Sequence, residues 1–509
     1  MAKVLIVGAG PTGLALATEL MARGISIRII DENEAPSTTS KALGIQARTL
    51  EHFHQMGIAK EPIADGIQVE SINIHRQTDS FTIPLAIDSL FNFILIYPQS
   101  KTEALLIKRL EFFGQSVERG TRFDGFTNKT AHLIHTNGAS EDYEFDWLIG
   151  CDGAHSAVRH ALNLPFQGHE IGQNFVIADI TAKTPLTHDE AFAFLSHQGP
   201  LLILPLPYER GYRLIASLPL DFSIPEDVMT FFQNIVTDRM VVPLTIESIQ
   251  WNSQFSTHRR MTRSMRVGHV FLAGDASHIH SPAGGQGLNT SIQDAFNLAW
   301  KLAFVIQKKC PEALLDTYSK ERRLIAKKVL FETTQVMRFL KISQGKLGGL
   351  LFKFLKILTS SEKIQRLLSK KLSETAVMYP KSSFFYESRE HISSKTLKVG
   401  QRCPLLFPYN ELCQDHRFII FIFGTNKYED LIASIEKNDA DTIQCVLVEH
   451  EVKTEAIFHA FGAKEGTIVV IRPDGYIAYR QKKGQPLQLK LFLDHLFNRD
   501  NDNDDDDNS

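Results

Sequence analysis

The first thirty-one residues follow the order strand, glycine turn, helix and strand. An apolar strand over residues 3–7 leads into Gly8-Ala9-Gly10-Pro11-Thr12-Gly13, and a second strand over residues 25–30 ends at Asp31. In such a unit Gly8 permits the tight turn, Gly10 lets the backbone approach a pyrophosphate, and Gly13 allows close helix–strand packing. Asp31 stands where a carboxylate can accept a hydrogen bond from a ribose hydroxyl. The segment predicts a dinucleotide site in an α/β domain, without separating FAD from NAD.

A second glycine-rich segment follows another apolar strand, residues 270–274. It reads Gly274-Asp275-Ala276-Ser277-His278 and, after three residues, Pro282-Ala283-Gly284-Gly285-Gln286-Gly287-Leu288-Asn289. The strand would deliver Asp275 to the carboxyl edge of the sheet, where ligands of such folds bind. Backbone N–H groups at the start of the following helix would stabilise negative charge. The alternative, a structural loop with Asn289 as a helix cap, explains neither the glycine density nor its position after Gly274-Asp275.

A third segment, Cys151-Asp152-Gly153-Ala154-His155-Ser156-Ala157-Val158-Arg159, completes a combination typical of one family. Together the three segments resemble the class A flavoprotein monooxygenases, the para-hydroxybenzoate hydroxylase-like aromatic hydroxylases. Residues 40–50, 98–103 and 251–259 add to this resemblance. Residues 472–480 resemble part of the thioredoxin-like domain of the phenol hydroxylase branch, which includes polyketide hydroxylases and rifampicin monooxygenases. The resemblance covers the whole chain except the acidic tail.

The resemblance implies FAD as cofactor and a set of residues that hold it. Gly8, Gly10 and Gly13 would hold the pyrophosphate, Asp31 the adenosine ribose and Asp275 the ribityl hydroxyls. A lysine, Lys41, stands where family members often carry arginine, and it lacks the planar bidentate contact of a guanidinium. The remaining residues implied at the cofactor are Arg48 (the guanidinium nearest to Lys41), Gln99, Asp152, Arg159, Gly274, Pro282, Gly285, Gly287, Leu288 and Asn289.

Two of these residues have an equally good structural explanation. Asp152 and Arg159 belong to a segment that in the family serves FAD and the pyridine nucleotide together. Their alternative role is a turn built on Asp152 and an ion pair of Arg159 that anchors the sheet.

The implied reaction is hydroxylation of an aromatic, phenolic or polyketide-like substrate. NADH or NADPH would reduce FAD, which would react with molecular oxygen to form a C4a-hydroperoxide that attacks the ring. A second possibility is an enzyme of the same fold acting in epoxidation, Baeyer–Villiger-type oxidation or antibiotic inactivation. A third, a degenerate flavin-binding module, is disfavoured by the intact glycines. No metal site is expected, because the sequence has no cluster of ligand-type residues.

Composition limits the partners and the compartment. A formal net charge of −3 argues against nucleic acid, and no apolar run reaches the ~18 residues of a membrane span. Five scattered cysteines without a CxxC pair indicate a reducing compartment. We therefore expect a cytoplasmic monomer or homodimer without stable membrane association.

The fold predicted is α/β, a Rossmann-type FAD-binding domain with an inserted antiparallel substrate sheet and a C-terminal thioredoxin-like α/β domain without CxxC. FAD-binding parts are expected over residues 1–75, 97–169 and 262–330, and substrate-domain parts over 76–96 and 170–261. A helical connection over 331–390, the thioredoxin-like domain over 396–498 and a disordered acidic tail over 499–509 complete the chain.

The substrate side offers only weak candidates for catalysis. Arg213, Tyr212 and His197, with Tyr208, could act on a phenol, but each is more typical of an ordinary sheet residue. The segment 346–359 is both apolar and basic, and two explanations remain open. We favour a helix packed on the body with its lysines outward over docking on a membrane surface.

Overall fold

The structure is a computed structural model that describes residues 2–38, 42–219, 222, 224–279, 285–345, 348–388, 396–424 and 428–499. Its first unit is a six-stranded sheet centred on Val4–Val7, which pairs in parallel with Ile27–Asp31 and Trp147–Gly150. Every residue of Val4–Val7 is buried. The strand is a continuous apolar run because both faces of the sheet are covered. The outer strands are Glu118–Arg119 on one side, and Val270–Leu272 and the antiparallel Arg266–Val267 on the other.

Helices cover one face of this sheet and a small antiparallel sheet covers the other. Helix Pro11–Ala22 packs against Gln99–Phe112 and against Gly287–Ile306, which we call the central helix. On the opposite face Phe123 and Leu133 share an apolar cluster with residues of the main sheet. The small sheet comprises Thr121–Thr127, Thr130–His135 and Ser140–Glu144, and shorter helices are Ala47–Gln55, Lys60–Asp65 and Ala157–Ala161.

An eight-stranded sheet forms the second unit. Its longest strands, Phe166–Lys183 and Thr245–Thr262, pair antiparallel, as predicted for the substrate domain. Side chains such as Val176 and Leu214 pack on one face against the helix Val228–Arg239, and their neighbours in the chain point to the opposite face. In spatial order the strands are His278–Ile279, Thr245–Thr262, Phe166–Lys183, Gly211–Leu218, Gly199–Pro205, Ala191–Ser196, Ser71–Arg76 and Asp79–Pro84.

A three-stranded sheet joins these two units. Its strands are Gly44–Ile45, Ile94–Ile96 and Ile67–Val69. Leu43 and Ile96 form an apolar cluster with Leu206 and Leu204 of the eight-stranded sheet. The eight-stranded sheet is therefore held against the segment that begins at Leu43.

Three helices connect the central helix of the first unit to the C-terminal unit. The long helix Asp316–Ser343 is preceded by the short turn of helix Glu312–Leu315 and followed by Gly348–Thr359 and Glu362–Leu372. The domain boundary expected at residue 330 falls inside the long helix. Within the described ranges, none of the helices has the length and apolar character that a membrane crossing requires.

The C-terminal unit contains a five-stranded mixed sheet. Its strands, in spatial order, are Tyr386–Glu387, Ile477–Gln481, Ile468–Ile471, Phe418–Phe423 and Ile443–Val448. Its helices are Tyr409–Leu412, Glu429–Asp439, Glu455–Phe461 and Pro486–Phe497, with a short helical turn Val452–Thr454. The α/β composition predicted for this unit is present, and the likeness to thioredoxin stays a prediction. All five cysteines are free thiols.

A buried cluster of charges fixes this unit to the central helix. Arg472 donates to Glu321 at 2.8 and 3.0 Å and also pairs with Asp474, while Lys301 of the central helix donates to Glu321 at 2.8 Å. Burial alone would raise the pKa of Glu321, but Arg472 and Lys301 hold it at about 2. The C-terminal unit is therefore an integral part of the molecule's interior.

Candidate functional site

The three motif segments meet at the carboxyl edge of the six-stranded sheet. A Cβ on Gly8 would lie 2.5 Å from the carbonyl oxygen of Cys151, and one on Gly274 would lie 2.6 Å from Thr12 Oγ1. Both glycines also have positive φ, +99° and +59°. The segments touch because Val4–Val7, Trp147–Gly150 and Val270–Leu272 are adjacent parallel strands that end at the same edge.

The first glycine turn is closed on one side and open on the other. A Cβ on Gly13 would lie 1.9 Å from the carbonyl oxygen of Gly8, so only glycine permits this approach of helix to strand. A Cβ on Gly10 would meet no atom within 4 Å. Gly10 borders a cleft of about 380 Å³ that Asp31, Asn33 and Arg119 also line. The turn therefore fits a phosphate-bearing cofactor that approaches the backbone at Gly10.

Asp31 is oriented by the same turn. Its Oδ2 accepts from the backbone N–H of Ala9 at 2.7 Å, and its Oδ1 accepts from the backbone N–H and the side-chain Nδ2 of Asn33, both at 2.9 Å. Arg119 lies 3.6 Å from Oδ1. Each carboxylate oxygen has about two acceptor sites, so Oδ2 keeps one for a ribose hydroxyl. Arg119 was not predicted, since nothing in its local sequence distinguishes it from a surface arginine.

Gln99 begins the helix Gln99–Phe112 and holds the segment that follows Lys41. Its Oε1 accepts from the backbone N–H of Ala42 at 3.1 Å, and its Nε2 donates to Glu103 at 2.9 Å. Burial raises the pKa of Glu103, which also lines the cleft. Lys41 and Pro282 lie outside the described residues.

The second motif places Asp275 where the sequence predicted. Asp275 is exposed in the helical turn Gly274–Ala276, directly after the strand Val270–Leu272. Gly285, with φ +63°, precedes the central helix, in which Gly287 is the first residue and Leu288 is half-buried.

Asn289 joins the start of the central helix to the strand Gly44–Ile45, and its role at the cofactor stays a prediction. Its side chain is buried, with Oδ1 accepting from Gln46 N–H at 2.8 Å and Nδ2 donating to the carbonyls of Gly44 and Gly285 at 2.9 and 2.8 Å. These contacts clamp the strand Gly44–Ile45 to the start of the central helix. The side chain does not act as the N-cap of that helix.

A buried carboxylate that the motifs did not reveal supports the Gly274-Asp275 turn. Asp294 Oδ2 accepts from Gly274 N–H at 3.0 Å and lies 2.7 Å from His278 Nε2, while Oδ1 accepts from Arg322 at 2.6 Å. Burial alone would raise the pKa of Asp294, but Arg322 and His278 hold it below its usual value. The available signal was one acid inside an otherwise largely apolar stretch of the central helix.

The connecting helices also reach the start of the central helix. Glu374 is buried, accepts from Thr290 Oγ1 at 2.9 Å and pairs with the side-chain amide of Gln293. Burial raises the pKa of Glu374 to about 7. A group that titrates near neutrality therefore contacts the helix whose N-terminus belongs to the site.

The third motif links its neighbours through Arg159. Asp152 Oδ2 accepts from Val158 N–H at 3.1 Å, and its Oδ1 is buried without a hydrogen-bond partner in the described part of the chain. Burial raises the pKa of Asp152. Arg159 donates to the carbonyls of Ala276 and Ala154 at 3.1 and 3.0 Å. The turn on Asp152 is present, but Arg159 anchors the sheet through carbonyl oxygens and not through the expected ion pair.

Arg48 lies in the contact with the C-terminal unit. Its buried guanidinium donates to Glu51 at 2.8 Å and to the carbonyl of Asp474 at 2.7 Å. These partners hold its guanidinium at the C-terminal unit, and its role at the cofactor stays a prediction.

The three weak catalytic candidates lie in different environments. Tyr212 donates to the carbonyl of Leu186 at 3.1 Å within the cluster under helix Val228–Arg239, and His197 is exposed in a hairpin turn. Arg213 lies on the opposite face, in a bidentate pair with Asp179 at 2.6 and 2.8 Å. Its guanidinium lies 5.6 Å from the ring centre of Trp251. Of the three, Arg213 shares the face whose Leu204 packs near Leu43.

The cofactor edge matches a known protein family. The sequence model of a protein family, described as "FAD binding domain", matches residues 1–333 of this chain. The chain belongs to this family. FAD is therefore its cofactor, and the open backbone at Gly10 fits that group.

Individual relatives match nearly the whole chain. 6-Methylpretetramide 4-monooxygenase from Streptomyces rimosus is 30% identical, with 97% of this chain and 93% of the relative covered. Rifampicin monooxygenase from Streptomyces venezuelae is 26% identical over 96% of this chain and 98% of its own. The solved anhydrotetracycline hydroxylase from Streptomyces rimosus superposes with a TM-score of 0.79 at 27% identity, over 97% of this chain and 99% of its own. The resemblance to class A flavoprotein monooxygenases is confirmed.

Proposed function

We propose that this protein is an FAD-dependent monooxygenase that uses NADH or NADPH and molecular oxygen to hydroxylate a polycyclic, polyketide-like aromatic substrate. The observation that carries this proposal is the match to relatives named for tetracyclic substrates, which extends over 97% of the chain. The match includes the C-terminal unit, which is bound into the core by Arg472 and Glu321.

The residues at the sheet edge support binding of the cofactor. The open backbone at Gly10 receives the pyrophosphate, Asp31 accepts from the adenosine ribose, and Asp275 accepts from the ribityl chain. FAD, when bound, supplies the hydride and oxygen chemistry of the reaction. The N-terminus of the central helix at Gly287 stabilises negative charge beside it, because backbone N–H groups and the helix dipole point there.

The second face of the eight-stranded sheet supports an aromatic substrate. The rings of Phe175 and Phe255 stack at 5.8 Å between centres, and Trp251 lies beside Arg213 on the same face. Apolar and aromatic walls with few polar groups are typical of pockets for planar ligands, and they exclude water from the reaction. The Arg213 side chain is only 1% exposed and is held by Asp179, so we assign it a positioning role beneath this face, beside Trp251.

The test combines spectroscopy, turnover and product mass. The purified protein should show a flavin spectrum. A tetracyclic phenol should stimulate its oxidation of NADH or NADPH at least about tenfold more than a one-ring phenol, a difference of ~1.4 kcal/mol in transition-state binding. The product should gain one oxygen atom. Bound flavin with no stimulation by any phenol would overturn the proposed reaction, and an oxygen inserted into a carbon–carbon bond would favour Baeyer–Villiger-type oxidation.

A variant at the sheet edge tests the cofactor assignment separately. Asp275→Ala should lower the flavin content at unchanged secondary structure by circular dichroism, because the Asp275 side chain is exposed and lies outside the apolar core. Flavin content equal to that of the wild type would contradict the ribityl role of Asp275.

A further inference from the structure

The helix Gly348–Thr359 has an apolar stripe that faces solvent. Leu350, Phe354 and Ile357 are 70, 58 and 73% exposed. At 100° per residue, these three positions lie within about 60° of one another around the helix. On the other side Phe352 is buried and packs edge-to-face on Phe81. The expectation that this segment packs on the body holds for the Phe352 side, while the second apolar side faces outward.

The next helix also has exposed apolar side chains. Leu367 and Leu368 of Glu362–Leu372 are 52 and 41% exposed, and the two helices contact each other. We call the exposed side chains of Leu350, Phe354, Ile357, Leu367 and Leu368 the apolar patch. Several exposed apolar side chains on two contacting helices mark an interaction surface, whereas single ones are common on any protein.

The charge around the apolar patch is strongly positive. Residues 333–372 contain nine lysines and arginines and one acid, Glu362, in a chain with a net charge of −3. The cations of the two helices are all exposed: Lys353, Lys356, Lys363, Arg366, Lys370 and Lys371. The acids that face them are paired at the surface: Asp79 with Lys356, Asp88 with Lys370, Glu332 with Lys371, and Glu362 with Arg366. Nine cations against these four acids leave the surface with a positive surplus.

We propose that the apolar patch docks the protein reversibly on an anionic phospholipid bilayer, with the helix Gly348–Thr359 lying in the interface. A helix with Leu, Phe and Ile on one side and lysines beside them has the composition of an interfacial helix. The lysines complement the negative charge of anionic headgroups. This association is peripheral, in agreement with the lack of a membrane-crossing helix among the described residues.

Two other occupants fit the charge pattern less well. A second copy of this chain in a two-fold contact would set the same lysines against each other. The acidic tail, residues 499–509, has no apolar side chain that could cover Leu350 or Phe354. An anionic surface with an apolar interior satisfies both parts of the pattern.

Docking in this way places the substrate sheet close to the bilayer. Phe352 packs on Phe81 of the edge strand Asp79–Pro84, and Ser369 Oγ accepts from the backbone N–H of Ala86 at 2.9 Å. The two helices thus lie directly on the edge of the eight-stranded sheet. The inference does not depend on the proposed reaction, because it rests on exposed side chains to which no cofactor or substrate role is assigned.

Vesicle sedimentation of the full-length, FAD-loaded protein tests the proposal. The protein should sediment with vesicles of phosphatidylcholine containing about one third phosphatidylglycerol at low salt. With phosphatidylcholine alone, or in about 0.5 M NaCl, the bound fraction should fall at least tenfold, since salt screens the lysines. Absence of binding to the anionic vesicles at low salt would overturn the proposal.

Variants test whether vesicle binding requires the apolar patch or is non-specific. The triple variant L350Q/F354Q/I357Q should lose at least about tenfold in vesicle binding with unchanged flavin content, because the inserted apolar area is removed. The matched control is Leu487→Gln, since Leu487 is 68% exposed on a helix of the C-terminal unit and should not matter.

Three results would overturn the proposal. The first is a triple variant that binds vesicles as well as the wild type. The second is a wild-type dimer that the triple variant converts to a monomer without any vesicle binding, which would assign the patch to a subunit contact. The third is retention of the wild type on immobilised polyglutamate without vesicle binding, which would assign it to an acidic protein.

Discussion

The cofactor edge and the eight-stranded sheet use different parts of the chain to shape a binding surface. At the edge, backbone atoms form the surface: Gly13 lets its helix reach Gly8, and Gly10 leaves the backbone open. On the sheet, side chains form the surface, for example Arg213, Asp179 and Trp251. A surface made of backbone requires particular residues at fixed spacing, whereas a surface made of side chains tolerates many sequences. The comparison predicts that substitutions in the two regions fail in different ways.

The largest effect is expected at Gly13. In Gly13→Ala the new Cβ would lie 1.9 Å from the Gly8 carbonyl oxygen, so helix and strand must separate. We expect a loss of more than about 4 kcal/mol in the free energy of unfolding, measured by urea denaturation, together with loss of flavin. The matched control is Gly10→Ala, whose Cβ meets open space. It should fold normally and lose FAD affinity alone, and equal stability losses in both variants would break the assignment of an open and a closed side.

On the sheet, Arg213→Ala should destabilise the protein by about 3 kcal/mol, because it leaves Asp179 partly buried without its partner. Flavin content should stay unchanged, in contrast to Gly10→Ala. The double variant R213M/D179L should recover most of the loss, since it removes both charges. Thermal unfolding of the three proteins checks this, and loss of flavin in Arg213→Ala would show that the two regions are coupled.

Glu374, which contacts the central helix, makes the free energy of unfolding depend on pH. Burial raises its pKa to about 7 in the folded protein, from an ordinary value of 4.5. Between these values the folded state binds more protons than the unfolded state, so the free energy of unfolding falls as pH rises, by up to about 3 kcal/mol. Glu374→Gln should match the wild type at pH 4.5 and exceed its stability at pH 8. Parallel pH profiles for the two proteins would contradict this assignment.

The smallest effect is expected at His197, which is exposed in a hairpin turn far along the sheet from Leu204. His197→Ala should change stability by less than about 0.5 kcal/mol and leave turnover unchanged. A clear fall in kcat, measured with the substrate that supports turnover, would show that His197 contributes to catalysis.

The elements that were predicted well are those with strong local patterns. The unit from Val4 to Asp31 and the strand before Gly274 both follow from apolar runs broken by glycines. The placement of Asp31 and Asp275 at the edge follows from the same pattern, because a strand end fixes where the next residue lies. Gln99 was placed near the cofactor, but its contact with Ala42 could not be anticipated.

For other residues the side-chain partners come from distant parts of the chain. Arg48 stays a predicted cofactor residue, and the sequence did not reveal that Glu51 and the distant Asp474 hold its guanidinium. Asn289 was expected to line the cofactor or cap a helix, and its partners Gly44 and Gln46 lie more than 240 positions away in the chain. Asp294 carried no motif at all, because its importance comes from Gly274, His278 and Arg322 together.

The sequence by itself determined the cofactor-binding unit, its family and the positions of its glycines, since a close approach of backbone to ligand excludes nearly every other residue. The tertiary structure alone decided which polar side chains support that unit, which face of the eight-stranded sheet turns toward it, and which side of the helix Gly348–Thr359 is left uncovered. The physical reason is that burial and pairing are properties of neighbours in space. Apolar and charged residues show the same pattern in a sequence whether another element covers them or solvent does.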